Sequence, residues 1–124
     1  MNKDFTLLVI EDDDSSFRLI AAALRTFDIT IIHADNGSDG IRLFSENMPN
    51  LVLLDIQLPE MDGFEVIEQI RKINKVTPVI AQTAYTLANE KEKCNETGFS
   101  DFISKPINIM QLRNIIKKHL AQLN

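Results

Sequence analysis

A doubly wound α/β domain built on a five-stranded parallel sheet is the fold class that this sequence predicts, on three observations. Short apolar runs rich in β-branched residues alternate strictly with segments of helical spacing. The runs are apolar at consecutive positions, which is the pattern of parallel strands covered on both faces. Polar residues follow the runs directly, at the edge where open parallel sheets build their sites.

The first run, Leu7 to Ile10, reads as a strand, and Phe17, Ile20, Ala21 and Leu24 behind it have the spacing of a helix. Asp13 and Asp14 read as a solvated helix start, with Asp14, Ser15 or Ser16 as its cap. Ile29 to Ile32 forms the second strand and Ile41 with Phe44 marks the second helix; Leu51 to Leu54 and then Phe64, Ile67 and Ile70 repeat the unit. Asp62, in "MDG", reads as a turn or cap residue. Val79 to Ala81 is the fourth strand. Leu87 to Glu96 is helical by propensity but polar, with apolar residues near its ends and at Cys94, so it should be the most loosely held helix. A weaker fifth strand, Asp101 to Ser104, and a last helix carrying Ile109, Leu112, Ile116 and Leu120 close the chain. Phe5, Phe27, Phe44 and Phe64 read as core or core rim.

At 124 residues the chain is read as one domain over 1–124, with short connections, no linker rich in Pro, Gly or Ser and no repeat beyond the strand-helix unit. Hydrophobic residues at 44% and charged residues at 25% are those of an ordinary soluble globular protein. A net charge of -5, with thirteen scattered Lys and Arg, argues against a nucleic-acid surface, which needs a basic stripe to displace counterions. The single cysteine, Cys94, makes neither an internal disulfide nor a zinc-site spacing. "MNKDFTLLVI" is too weakly basic and too short in its apolar run for a signal peptide, and no segment approaches the ~20 apolar residues needed to span a bilayer. A cytoplasmic protein without membrane insertion is expected.

The stretch "LLVIEDDDSS" sets four carboxylates directly behind four apolar residues. Such a run is either an acidic loop in solvent or the holder of a hard, oxygen-ligated cation that turns repulsion into attraction. The other strand ends decide between them. Glu11 and Asp12 follow the first strand, Asp55 the third, Thr83 the fourth and Lys105 the fifth. Three carboxylates, a hydroxyl and an ammonium thus converge on one edge of the sheet. Asp55 can serve as a nucleophile toward phosphorus, giving an acyl phosphate. Mg²⁺ held by Glu11, Asp12, Asp55 and the backbone carbonyl of Gln57 would neutralise the phosphoryl oxygens, while Lys105 and Thr83 take the remaining ones.

"VIEDD", "LVLLDIQLPEMDG", "PVIAQTA" and "DFISKP", in this order and spacing over nearly the whole chain, resemble the receiver domain of two-component response regulators. The resemblance implies a flavodoxin-like (βα)5 topology with strand order 2-1-3-4-5. It implies that Asp55 accepts phosphate from a histidine of a sensor kinase or a histidine phosphotransfer protein. The receiver is then no classical enzyme but catalyses its own phosphorylation and dephosphorylation with Mg²⁺, for which Mn²⁺ can substitute. A cis peptide between Lys105 and Pro106 is implied, as is a switch that couples Thr83 to Phe102 and reshapes the face made by segment 87–96, the fifth strand and the last helix. The physical content is a two-state equilibrium biased by one covalent charge.

Several positions depart from the usual pattern. Glu11 stands where many receivers have Asp, and its longer side chain can still reach Mg²⁺ through a water. Phe102 lacks the hydroxyl of Tyr, so readout should rest on packing. Gln57 and Tyr85 stand where side chains control access of the attacking water, and a bulky Tyr85 predicts slow self-hydrolysis; a phosphoryl lifetime of seconds would count against that. His33 and His119, the latter in a last helical turn whose dipole favours a cation, are poor phosphodonors without an acid-base partner in view.

Other functions fit less well. A flavin-binding module of the same topology would need a phosphate loop where the carboxylates stand. An aspartyl-phosphatase enzyme would need an acid at Gln57, and no P-loop is present. A degenerate receiver acting only as an interaction module is the alternative that Asp55-dependent phosphorylation would exclude. The sequence is compatible with a stand-alone regulator and with the cytoplasmic portion of a membrane-bound hybrid histidine kinase. A phosphodonor is expected to dock around Ser15, Ser16 and Leu19, and a homodimer on phosphorylation stays open.

Overall fold

Leu51–Asp55 and Val79–Thr83 are buried at every position, as central strands covered on both faces must be. The computed structural model describes residues 5–84 and 97–122. Among them the chain order is β1 (Thr6–Ile10), α1 (Asp14–Ala23), β2 (Thr30–Ala34), α2 (Gly37–Asn47), β3 (Leu51–Asp55), α3 (Gly63–Ile73), β4 (Val79–Thr83), β5 (Asp101–Ser104) and α4 (Ile109–Ala121). The five strands are all parallel in the order β2-β1-β3-β4-β5, as the family pattern implied. The helix expected over 87–96, with Cys94, and Tyr85 lie outside the described residues. No described helix is long and apolar enough to cross a membrane.

Period-2 alternation divides the apolar side chains into two layers. Leu8, Ile10, Val52, Leu54, Val79 and Ala81 face α2 and α3, where Phe44, Val66, Ile67 and Ile70 pack on them. Leu7, Val9, Leu51, Leu53, Ile80 and Ile103 face α1 and α4, which contribute Ile20, Leu24, Leu112 and Ile116. Each such fully buried aliphatic side chain contributes about 1.5–3 kcal/mol. Phe5 and Phe44 are core, while Phe27 and Phe64 are half-buried at its rim.

Each described helix begins on a capping side chain that accepts a backbone N–H three residues on: Asp13 from Ser16, Asn36 from Asp39, Asp62 from Glu65 and Asn108 from Gln111. The cap of α1 is therefore one residue earlier than expected, because Asp13 is still extended (φ -91°, ψ 117°) whereas Asp14 is already helical. Asp14 instead pairs with Arg18 one turn on, at 2.9 Å in solvent. The second strand begins at Thr30 and ends at Ala34, one residue later and two residues longer at its end than its apolar run indicated. Its register beside β1, Thr6 with Thr30 through Ile10 with Ala34, continues the ladder through the polar His33.

Candidate functional site

Asp55 is the last residue of β3 and is 1% exposed. A carboxylate so buried must have its charge answered, and both of its oxygens are engaged. Lys105 Nζ reaches Oδ2 at 2.6 Å, and the backbone N–H of Gln57 donates to Oδ1 at 2.9 Å. The loop behind Asp55 is pinned by Gly63, whose N–H donates to the Ile56 carbonyl at 2.7 Å. A Cβ at position 63 would stand 2.6 Å from Ile56 Cα and 3.0 Å from the Asp55 carbonyl oxygen, so only glycine lets α3 start this close to the strand end.

The acidic run after β1 is divided between two roles. Glu11 is buried and Asp12 is exposed, and each brings a carboxylate oxygen to within 4.8 Å of one on Asp55 and of each other. Asp13 and Asp14 are spent on the start of α1. Three hard oxygen donors at this separation fit Mg²⁺, which takes few carboxylates and keeps waters for its other positions. Glu11 Oε2 accepts the backbone N–H of Asp13 at 3.1 Å, and Oε1 faces the Gln82 side-chain nitrogen at 3.4 Å. Burial pushes the Glu11 carboxyl up from 4.5 to about 7; the Asp13 N–H opposes the rise, the Asp55 charge adds to it and Lys105 opposes it.

Thr83 ends β4 and is 2% exposed, and its carbonyl accepts the Lys105 N–H at 2.7 Å, which ties the ends of β4 and β5 together. The Lys105–Pro106 peptide is cis. In the register of β4 with β5, Ala81 pairs with Phe102 and Thr83 with Ser104, so Thr83 and Phe102 lie on the same face of the sheet. Phe102 is half-buried against the α2/α3 layer. Gln57 is exposed in the loop after β3.

Two features were missed by sequence reasoning. Gln82 is fully buried beside Asp55 on the neighbouring strand; the one sign of it is an amide placed directly after the apolar run of "PVIAQTA", ahead of Thr83. His33 lies within β2, and its ring stacks on Phe17 (centroids 3.8 Å apart, 4° between planes) with Nε2 2.8 Å from the Glu11 carbonyl oxygen. Its partner among the described residues is a backbone carbonyl. His119, by contrast, does meet an acid, with Nε2 3.6 Å from Asp101. Its environment also reverses the dipole expectation, since burial lowers its pKa more than Asp101 raises it.

Comparison with known proteins agrees with this geometry. The response regulator receiver domain family matches residues 7–117. The chain is 34% identical over 120 residues to the sensor histidine kinase RcsC of Escherichia coli K12 and 33% identical over 116 residues to the signal transduction histidine-protein kinase BarA of the same organism. These matches cover 97% and 92% of this chain but only 12% and 13% of the kinases. Among solved structures, the signal receiver domain of a LuxO repressor protein from Vibrio parahaemolyticus superposes with a TM-score of 0.88 at 30% identity, covering 94% of this chain and 90% of the other. The receiver domain of a sensor histidine kinase from Pseudomonas aeruginosa, which has a magnesium ion coordinated in its active-site cleft, superposes with a TM-score of 0.85 at 26% identity over 94% and 98% of the two chains. With its parallel sheet in this order and its acids gathered at the carboxyl edge, the chain belongs to the response regulator receiver domain family.

Proposed function

We propose that this receiver is the phosphoacceptor of a two-component relay, taking a phosphoryl group from a phosphohistidine onto Asp55. The observation that carries the reading is the state of Asp55: a buried carboxylate held at both oxygens, with Lys105 at 2.6 Å and two further acids within 4.8 Å. One Asp55 oxygen attacks phosphorus as the P–N bond breaks, the imidazole leaves with the electron pair, and an acyl phosphate results. Lys105 gives up Asp55 Oδ2 and follows the negative charge onto a phosphoryl oxygen, and the Thr83 hydroxyl donates to another. Glu11, Asp12, Asp55 and the Gln57 carbonyl would hold Mg²⁺, which would supply charge neutralisation for the phosphoryl oxygens; Mn²⁺ would serve in its place. Hydrolysis of the acyl phosphate returns the carboxylate, with Gln57 and Tyr85 governing the approach of water.

The donor is a sensor histidine kinase or a histidine phosphotransfer protein, docking over α1, where Leu19 is 41% exposed near Ser15 and Ser16. The similarity to segments of RcsC and BarA supports that class of partner. Phosphorylation draws Thr83 toward the phosphoryl group and lets Phe102 move inward. This changes the groove of ≈ 600 Å³ that Phe102 lines with Asp101, Asn108, Gln111 and Ile115 between β5 and α4.

Intact mass of the protein after incubation with Mg²⁺ and a small acyl-phosphate donor tests the reading. A single phosphoryl adduct is expected, absent from Asp55→Asn and from a chelated sample. No adduct with that donor or with a panel of phosphohistidine donors, in folded protein, would overturn it in favour of an interaction module.

A further inference from the structure

Gln82 is fully buried, yet its side-chain oxygen has no hydrogen-bond partner among the described residues. Val79, Ile80 and Ala81 before it are apolar core, and a Leu or Met would fill the same space without desolvating an amide. Packing alone does not account for a glutamine here. Its alignment does. The register sets Gln82 directly beside Asp55, and alternation from Ile80 and Leu53 places both side chains on the α1/α4 face. Its nitrogen extends to Glu11 Oε1, at 3.4 Å. Glu11 follows β1, and β3 lies between β1 and β4, so the two backbones are separated by roughly twice the ~4.8 Å spacing of neighbouring strands. Only two long side chains meet across that gap. An Asp at position 11 would fall short of Gln82, and an Asn at 82 would fall short of Glu11.

We propose that Gln82 is a positioning residue of the metal site, its amide nitrogen orienting the Glu11 carboxylate beside Asp55 and its free oxygen receiving a hydrogen bond from a water of bound Mg²⁺. The inference rests on the reading of Glu11, Asp12 and Asp55 as the Mg²⁺ site. It explains why a glutamate works at position 11: its extra rotatable bond is restrained from both sides, by the Asp13 N–H on Oε2 and by Gln82 on Oε1. Partners of this kind around a metal ligand typically change affinity by about 10–100-fold when removed.

The experiment is a double-mutant cycle on the 124-residue chain, reading Mg²⁺ affinity by calorimetry and Mn²⁺ affinity by electron paramagnetic resonance, with the metal-free melting midpoint of every variant. Gln82→Met and Gln82→Leu should each weaken both ions about tenfold while leaving the metal-free midpoint unchanged or higher, because an unpartnered buried oxygen is removed. In an Glu11→Asp background the same substitutions should change affinity by less than about twofold, since the shorter acid no longer meets position 82. Wild-type affinity in both Gln82 variants, an equal loss in the Glu11→Asp background, or unfolding of both variants would overturn the proposal and leave Gln82 a structural residue. If the wild-type chain binds neither ion, the metal-site reading falls and takes this one with it. If the wild type binds Mg²⁺ and the cycle behaves as expected but no adduct forms on Asp55, the phosphoacceptor reading alone fails.

Discussion

Two carboxylate-lysine pairs stand at opposite ends of β5, and they differ in burial more than in geometry. Asp55 meets Lys105 at 2.6 Å beyond the carboxyl end of the strand, and Asp101 meets Lys118 at 2.9 Å at its start. The Asp55 side chain is 1% exposed and its lysine 25%, whereas Asp101 is 23% exposed and Lys118 55%. Water screens the second pair and leaves it a surface contact; the first is held where screening is weak and a lost partner is felt. The same residue types therefore make a buried pair beside the acidic cluster at one end of a strand and a clasp for α4 at the other.

The largest stability effect that separates the two ends is expected from Lys105→Met. Removing the ammonium strands a buried carboxylate, and urea unfolding without metal should show a loss of about 2–3 kcal/mol, less than the ~3–5 of a fully buried pair because Lys105 is partly in water. Added Mg²⁺ should recover part of that loss, since an ion held by the proposed ligands would bring positive charge to the same carboxylate; unchanged stability in the variant would mean that water already reaches Asp55.

The Asp101 end should instead reveal itself through pH. His119 is 7% exposed with neither ring nitrogen hydrogen-bonded to a described residue, and burial lowers its pKa. Among the described residues, Asp101 raises that pKa and Lys118 lowers it. The unfolded chain then takes up a proton that the folded chain resists. The neutral histidine's stabilisation is complete above its ordinary value of 6.5 and is lost as the pH falls below it. Glu11, whose raised pKa stabilises the fold on acidification, acts in the opposite direction over the same range, so the histidine is isolated by difference: from pH 8 to pH 5 the unfolding midpoint of His119→Leu should gain on that of the wild type. A difference between the two proteins that does not change with pH would overturn this assignment.

The smallest effect is expected from Lys118→Ala, whose exposed pair is worth about 0.2–1 kcal/mol and less in high salt. A cost as large as that of Lys105→Met would erase the contrast between the two ends.

Much of this was legible along the chain. The strands show as consecutive apolar runs because each is covered on both sides, and the site acids show as the first polar residues at the ends of those runs. Glu11, Asp12 and Asp55 could be named that way, and Thr83 and Lys105 as polar residues close behind their strands, with Gln82 passed over in between; the structure gathers the Glu11, Asp12, Asp55 and Lys105 side chains at one edge. The cap of α1 could not, because Asp13, Asp14, Ser15 and Ser16 are all good capping residues and the choice depends on where the backbone turns out of β1. The second strand ran past its apolar stretch because pairing with β1 carries His33 and Ala34 into the ladder whatever their polarity.

The sequence by itself determined the alternation of strands and helices, the two faces of the sheet and the roster of chemical groups at its edge, since each of these is a matter of local period and of what ends an apolar run. Only the tertiary structure decided which distant groups meet. Gln82 reaches Glu11 because β3 lies between β1 and β4, and His119 meets Asp101 because α4 folds back over β5. Strand order and helix docking are set by the packing of the whole core, so contacts across them leave no periodic trace in the residues that make them.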